Sequence, residues 1–173
     1  DAVFTQAGLR PGEHLLVHGA AGGVGTAAVQ LGRQAGARVT ATVRREELRA
    51  GVEELGGRVI APDGFADQGP YDVVLELVGA SNLADNLKAL NLGGRIAVIG
   101  VGGTGPKAEL NLLALMGKRA RIHGSTLRAR PLEEKAIAMR LVETEVLPLF
   151  EQGRLSVPVA KAGQEAGQEK LDD

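Results

Sequence analysis

Small residues between positions 19 and 25 carry the strongest chemical signal in this sequence. Gly22 and Gly25 are separated by two residues, and Ala20 stands where a glycine opens the usual dinucleotide-binding pattern. Gly22 would let the main chain approach a pyrophosphate, and Gly25 would let a following helix pack against the preceding strand. Free N–H groups at the start of that helix would then face the negative charge. The segment predicts nucleotide binding, with a tight turn that holds no ligand as the alternative.

The end of the second predicted strand indicates which nucleotide would bind. Proteins that bind NAD or FAD usually carry an acidic residue there, which hydrogen-bonds the ribose hydroxyls. Here the strand ends with Thr42 and Val43, and Arg44 and Arg45 follow. A guanidinium can bind a 2′-phosphate through two hydrogen bonds, whereas a carboxylate would repel it. The pattern favours NADP(H), with a solvated arginine pair before a helix as the alternative.

Glycines also follow the fourth and fifth predicted strands. Gly79 and Gly100 each end a strand, and ligands of open α/β sheets bind outside the carboxyl ends of the strands. We expect these two glycines to leave room for the nicotinamide half of the cofactor, with simple strand termination as the alternative. Gly102, Gly103 and Gly105 are weaker candidates, because a flexible loop has the same composition.

These motifs need a scaffold in which strands alternate with helices. The patterning predicts strands at residues 14–18, 38–43, 58–61, 71–78, 95–99 and 119–123. It predicts helices at residues 26–35, 46–55, 82–90, 110–116 and 132–152. Such alternation implies parallel strands covered by helices on both faces. The predicted fold is α/β, a doubly wound parallel sheet of the Rossmann type in one domain over residues 1–158. Residues 159–173 are expected to be a frayed, truncated or non-native tail.

Composition argues against several other classes of protein. The chain has 173 residues with 20 Lys plus Arg and 21 Asp plus Glu, so its net charge gives no general attraction to nucleic acid or anionic membranes. The absence of cysteine excludes disulfides and thiolate nucleophiles, and three histidines leave little material for a metal site. No apolar run approaches the ~20 residues that span a bilayer. Because no signal peptide is visible either, we expect a cytoplasmic protein.

Other catalytic arrangements find little support. Tyr71 has no lysine four residues on, and Ser81 and Ser125 lie in no nucleophile elbow. His18 is expected to be a packed residue rather than a ligand. Glu76 is expected to be a hydrogen-bonded polar group at the crevice rather than an acid with a shifted pKa. No catalytic acid is therefore assigned, and catalysis would act mainly through positioning.

The motifs together resemble the zinc-free quinone oxidoreductase branch of the medium-chain dehydrogenase/reductase superfamily. The resemblance is densest over residues 16–31, and it also covers residues 1–4, 8–13, 36–39, 71–75, 92–100 and 124–130. It implies the cofactor-binding domain of an NADPH-dependent oxidoreductase that transfers hydride to quinones or related enones. It also implies a homodimer formed through the strand between Arg119 and His123.

The resemblance assigns roles to individual residues. It places the adenosine-side contacts at residues 42–45, which include Thr42, Arg44 and Arg45. It places the phosphate loop at Ala20, Ala21, Gly22, Gly23 and Val24, beside Gly25, and the ribose and nicotinamide side at Val78, Gly79, Ile99 and Gly100.

Two departures from this family bear on function. A lysine that often binds the 2′-phosphate is missing, since Leu48 stands nearest, and Arg44, Arg45 or Arg49 would have to substitute. We expect the family's N-terminal substrate domain to be missing from this chain, and we therefore expect the isolated chain to bind NADPH but to reduce quinones slowly. A stand-alone NADP(H)-binding module or sensor without catalysis is the alternative. A methyltransferase is more distant, because Val43 stands where such enzymes usually carry an acidic residue.

Overall fold

The sheet has the topology of a doubly wound α/β domain. The computed structural model describes residues 1–158, and within this range six parallel strands lie in the order β3–β2–β1–β4–β5–β6. The strand order reverses between β1 and β4, which is where ligands bind in such sheets. The strands are β1 (His14–Val17), β2 (Arg38–Thr42), β3 (Arg58–Ile60), β4 (Tyr71–Glu76), β5 (Leu90–Val98) and β6 (Arg121–Gly124). The predicted fold class is confirmed, while the predicted tail lies outside the described residues.

Helices connect the strands and cover the sheet. They are α1 (Gly23–Gln34), α2 (Arg49–Glu54), α3 (Leu83–Ala89), α4 (Leu112–Lys118), α5 (Leu132–Leu141) and α6 (Leu147–Glu151). No helix in the described part of the chain is both long enough and apolar enough to cross a membrane.

Several boundaries differ from the predicted ones, and three of the differences have a local physical reason. α1 begins at Gly23 rather than Thr26, so the glycine segment itself forms the first helical turn. The last predicted helix divides at a π-helical segment, Val142–Val146, and Pro148 then lies in the first turn of α6, where its missing N–H costs nothing. β5 begins before the predicted glycine break, and its pairing with β4 shifts register there.

Alternating side chains of the central strands bury two separate apolar layers. Leu15, Val17 and Leu75 point to one face, where they pack with Val29 of α1. The intervening residues point to the other face and pack with Phe65 and α3; they include Leu16, Val74 and Ile96. Because both faces are buried, the central strands read as continuous apolar runs, as parallel sheets do.

A bidentate ion pair fixes the N-terminal segment at the end of the sheet opposite the glycine segment. The Arg95 guanidinium nitrogens Nη1 and Nη2 each lie 2.8 Å from a carboxylate oxygen of Glu13. The same guanidinium donates to the carbonyls of Ala7 and Gly8. The hydrogen bonds from Arg95 lower the pKa of Glu13, because they stabilise its charged form.

Candidate cofactor-binding site

The turn between β1 and α1 lies at the carboxyl edge of the sheet and carries main-chain N–H groups that find no hydrogen-bond partner in the described part of the chain. Gly22 caps α1, and a hydrogen bond of 2.8 Å joins the Thr26 N–H to the Gly22 carbonyl. The N–H groups of Gly23, Val24 and Gly25 precede this bond, so the helix offers them no acceptor. The first turn contains no acidic side chain, and the positive end of the helix dipole lies there. Such a helix end binds phosphate groups.

Gly22 and Gly25 have different reasons for being glycine. A Cβ atom on Gly25 would lie 2.5 Å from the Cα and 2.7 Å from the carbonyl carbon of Ala20, so any side chain would push α1 away from the loop. A Cβ atom on Gly22 would meet only the Gly19 carbonyl oxygen, at 3.6 Å. Gly25 therefore holds the helix in place, while Gly22 keeps the space in front of the helix open.

Ala20 supports this loop from below. Its side chain is fully buried, and its N–H donates to the Thr42 carbonyl at 3.1 Å. Among the predicted loop residues, Ala21 is half-buried, whereas Gly22, Gly23 and Val24 are exposed. The structure therefore presents the second half of the predicted loop to solvent and uses Ala20 to join the loop to the end of β2.

Three arginines surround the end of β2. Arg44 and Arg45 are exposed directly after the strand, and Arg45 Nε lies 3.7 Å from the Glu47 carboxylate. Arg49 reaches back from α2, and its Nε donates to the Val43 carbonyl at 3.2 Å. From the sequence, Arg49 is predicted only as a substitute for the missing lysine. Its hydrogen bond to the Val43 carbonyl is not predictable from the sequence.

The glycines after β4 and β5 are explained by contacts within the chain. A Cβ atom on Gly79, whose φ is +132°, would lie 2.9 Å from Thr104 Oγ1, and one on Gly100 would lie 2.7 Å from the Leu77 carbonyl oxygen. The Val78 carbonyl accepts hydrogen bonds from the loop that follows Gly100. Close packing of two loops is therefore one reason for glycine at both positions, while the expected room for a nicotinamide stays a prediction.

Val78, Gly79 and Gly100 nevertheless lie together with Ile99 at the same edge of the sheet. The N–H groups of Ile99 and Gly100 both donate to the Glu76 carbonyl, at 3.1 and 3.2 Å. The ends of β4 and β5 are thereby joined beside the switch point, which is where the resemblance places the ribose and nicotinamide side.

A buried polar network lies beneath this edge. His18 Nε2 lies 2.7 Å from Asn86 Oδ1, and Asn86 Nδ2 donates to the Glu76 carboxylate at 2.8 Å. His18 Nδ1 lies 3.1 Å from Thr42 Oγ1. Burial lowers the pKa of His18 despite the opposing effect of the nearby Glu76 carboxylate. The expectations of a packed His18 and a hydrogen-bonded Glu76 are confirmed. The sequence does not reveal the role of Asn86, because its partner His18 lies far away in the chain.

Within residues 1–158, no group of three or more histidine, aspartate and glutamate side chains is arranged to hold a metal ion. The site is therefore described by main-chain N–H groups, arginines and the buried network.

Comparisons with known proteins agree with this architecture. A family model described as zinc-binding dehydrogenase matches residues 23–144. Quinone oxidoreductase of Mus musculus is 36% identical over 146 residues, which cover 77% of this chain and 43% of the mouse protein. The crystal structure of Escherichia coli K-12 YhdH with bound NADPH is 31% identical, with a TM-score of 0.72 over 87% of this chain and 49% of that chain.

Two further relatives widen the range of similar proteins. Acryloyl-coenzyme A reductase of Metallosphaera sedula is 40% identical over 100 residues, or 56% of this chain and 30% of that protein. Spectinabilin polyketide synthase system protein NorB of Streptomyces orinoci is 39% identical over 165 residues, or 88% of this chain and 7% of that protein. The chain thus spans less than half the length of each of these curated relatives.

Fold and site together define a Rossmann-type cofactor-binding domain of the oxidoreductase class. The chain belongs to the zinc-binding dehydrogenase family and is the cofactor-binding part of a quinone oxidoreductase-like medium-chain dehydrogenase/reductase.

The contact at Gly25 yields a testable prediction. Gly25→Ala should lower the free energy of unfolding by about 1–3 kcal/mol, because its Cβ would collide with the Ala20 main chain. Gly51→Ala is the matched control, since a Cβ atom there has no neighbour within 4 Å and alanine favours the helix by about 1 kcal/mol. Urea unfolding measures both changes, and equal stability of the two variants would contradict the proposed reason for Gly25.

Proposed function

We propose that this chain binds NADPH and serves as the cofactor-binding domain of an oxidoreductase that reduces quinones or related enones. The observation that carries the proposal is the set of N–H groups of Gly23, Val24 and Gly25, which have no hydrogen-bond partner among residues 1–158, together with the exposed arginines that follow β2. The NADPH bound to the similar YhdH structure supports the same cofactor. When bound, NADPH supplies a hydride from C4 of its nicotinamide ring.

The proposed binding mode divides the negative charges of NADPH between two groups of donors. The main-chain N–H groups at the start of α1 bind the pyrophosphate, and Gly22 allows the pyrophosphate to come close. Arg44, Arg45 and Arg49 bind the 2′-phosphate, for which a planar guanidinium is well suited. The absence of an acidic residue at Val43 removes the group that would repel this phosphate.

The ribose and nicotinamide half of NADPH is proposed to bind at the ends of β4 and β5. Val78, Gly79, Ile99 and Gly100 form this edge, and their main-chain hydrogen bonds hold it rigid. Since none of these residues is an acid or a base, their role is to orient the nicotinamide ring rather than to transfer protons.

The arginines provide the test of cofactor choice. The double variant Arg44→Ala, Arg45→Ala should lose about tenfold in NADPH affinity while NADH affinity stays nearly constant, because only NADPH carries the 2′-phosphate. Fluorescence titration with each nucleotide measures the two dissociation constants. Arg38→Ala is the matched control, since Arg38 is exposed at the opposite end of β2. An unchanged NADPH preference in the double variant would refute the assignment.

The identity of the hydride acceptor has two candidates. The mouse relative supports a quinone, and the acryloyl-coenzyme A reductase relative supports an α,β-unsaturated thioester. Both acceptors carry an electron-poor carbon–carbon double bond next to a carbonyl group. In each case the hydride adds to one end of the conjugated system and a proton from water completes the reduction.

Turnover assays distinguish these acceptors from a binding module without catalysis. Loss of NADPH absorbance is followed with a series of quinones and with acryloyl-coenzyme A, using this chain and the full-length product of its gene. We expect the isolated chain to bind NADPH but to turn over slowly, because it covers less than half of its relatives. Rapid quinone reduction by the isolated chain would overturn that expectation. A full-length product that binds NADPH but reduces none of these acceptors would favour the sensor.

We also propose a homodimer formed through β6, the strand predicted between Arg119 and His123. β6 lies at the edge of the sheet, so part of its main chain can pair with another strand. Sedimentation velocity should show a dimer for the parent chain and a monomer for Ile122→Pro, which removes a main-chain N–H from this edge. A parent chain that is monomeric at micromolar concentration would contradict the proposal. The cytoplasmic location and the lack of nucleic-acid or membrane partners stay predictions.

A further inference from the structure

The turn after β4 is held by a buried carboxylate. Glu76 Oε1 accepts hydrogen bonds from the Val78 N–H at 2.6 Å and from the Gly79 N–H at 2.9 Å. Asn82 Nδ2 approaches the same oxygen at 3.4 Å. The direction in which the chain leaves β4 therefore depends on where this one carboxylate oxygen lies.

The carboxylate is itself oriented by two further side chains. Asn86 Nδ2 donates to Glu76 Oε2, which leaves Asn86 Oδ1 to accept from His18 Nε2. The proton of His18 then lies on Nε2, so that Nδ1 accepts from the Thr42 hydroxyl. Each of these four side chains belongs to a residue no more than 2% exposed.

The network reaches both halves of the proposed cofactor site. At one end, the carbonyl of Thr42 accepts the N–H of Ala20, which supports the phosphate loop. At the other end, Glu76 holds the turn at Val78 and Gly79. A continuous series of hydrogen bonds therefore runs beneath the cofactor edge from the end of β2, across β1, to the end of β4.

Burying the Glu76 carboxylate carries an unfavourable desolvation free energy. The described hydrogen-bond partners of Glu76 are neutral main-chain and amide N–H groups, and His18 Nε2 lies 3.9 Å from it. Removing a charge from water costs several kcal/mol. An apolar side chain would avoid that cost, but it would leave the N–H groups of Val78 and Gly79 and the Asn86 amide without this acceptor. The carboxylate supplies what an apolar side chain cannot, namely directed acceptors that place two N–H groups.

We propose that Glu76, Asn86 and His18 are positioning residues for the nicotinamide half of NADPH, because they hold the Val78–Gly79 turn against which that half binds. This inference rests on the proposed function. The network acts through the main chain, so none of the three residues needs to touch the cofactor.

The test compares two ligands that share the phosphate half of the site. Adenosine 2′,5′-bisphosphate carries the 2′-phosphate but no nicotinamide, so it serves as the probe for that half alone. Glu76→Leu should weaken NADPH binding about tenfold and change binding of the bisphosphate less than about twofold. Isothermal titration calorimetry measures both dissociation constants without requiring turnover.

Two variants serve as controls for this comparison. Glu76→Gln should keep nearly normal affinity for both ligands, since its Oε1 still accepts from the turn and a rotated Asn86 amide can accept from its Nε2. Tyr71→Phe removes a hydrogen bond of 3.0 Å to the Phe65 carbonyl at the other end of β4, and it should lower stability while leaving both affinities unchanged. Should Glu76→Leu not fold, Asn86→Leu replaces it, with the same direction expected.

Each outcome has a distinct meaning. Selective loss of NADPH affinity in Glu76→Leu together with a normal Glu76→Gln supports the positioning role. Equal loss of both ligands makes the network a general folding element and overturns the inference, as does no loss of either. A parent protein that binds neither NADPH nor the bisphosphate refutes the proposed function instead.

Discussion

The close approach of α1 to the loop after β1 is the contact on which the candidate site depends. With glycine at position 25, the helix begins directly against the main chain of Ala20, closer than any side chain would allow. This distance decides where the N–H groups of Gly23 and Val24 point, because they belong to the first turn of the same rigid helix. The buried Ala20 also fixes the loop relative to β2, because its N–H donates to the Thr42 carbonyl at the end of that strand. The start of α1 and the arginines after β2 are thereby held at fixed positions relative to each other.

Positive electrostatic potential at this site comes from two sources, the main-chain N–H groups of α1 and the arginine side chains. The N–H groups at the start of α1 carry partial charges fixed by the main chain, so they favour an anion without losing conformational entropy when it binds. Arg44 and Arg45 carry full charges on exposed side chains. Arg49 is intermediate, because its Nε is already fixed on the Val43 carbonyl. This division between fixed N–H groups and arginine side chains suits a ligand with two kinds of phosphate. The pyrophosphate is common to all dinucleotides, whereas the 2′-phosphate distinguishes NADP(H) from NAD(H).

Features that depend on neighbouring residues in the chain are predictable from the sequence, whereas features that depend on partners from other segments are not. The doubly wound sheet follows from alternating apolar runs and glycine stops, and the glycine segment is recognisable because its strand and helix neighbours adjoin it in the chain. The packing contacts of Gly79 are not predictable from the sequence, because the loop that approaches it lies more than twenty residues further along the chain. The role of Asn86 is not predictable either, because it joins Glu76 to His18, and His18 comes from a segment 68 residues away. The sequence pattern predicts the start of α1 three residues too late, because glycine has a low helix propensity. In the structure, capping and close packing favour glycine at these positions.

The ion pair between Arg95 and Glu13 lies at the opposite end of the sheet from these features. It ties the segment before β1 to β5 by four donors of one guanidinium, and it shares no residue with the glycine segment, the arginines or the buried network. Stability toward heat or acid can therefore change at one end of the domain without a change in the residues proposed to bind the nucleotide at the other end. Because of this separation, substitutions in evolution or in protein engineering can change stability without changing nucleotide binding, and the reverse.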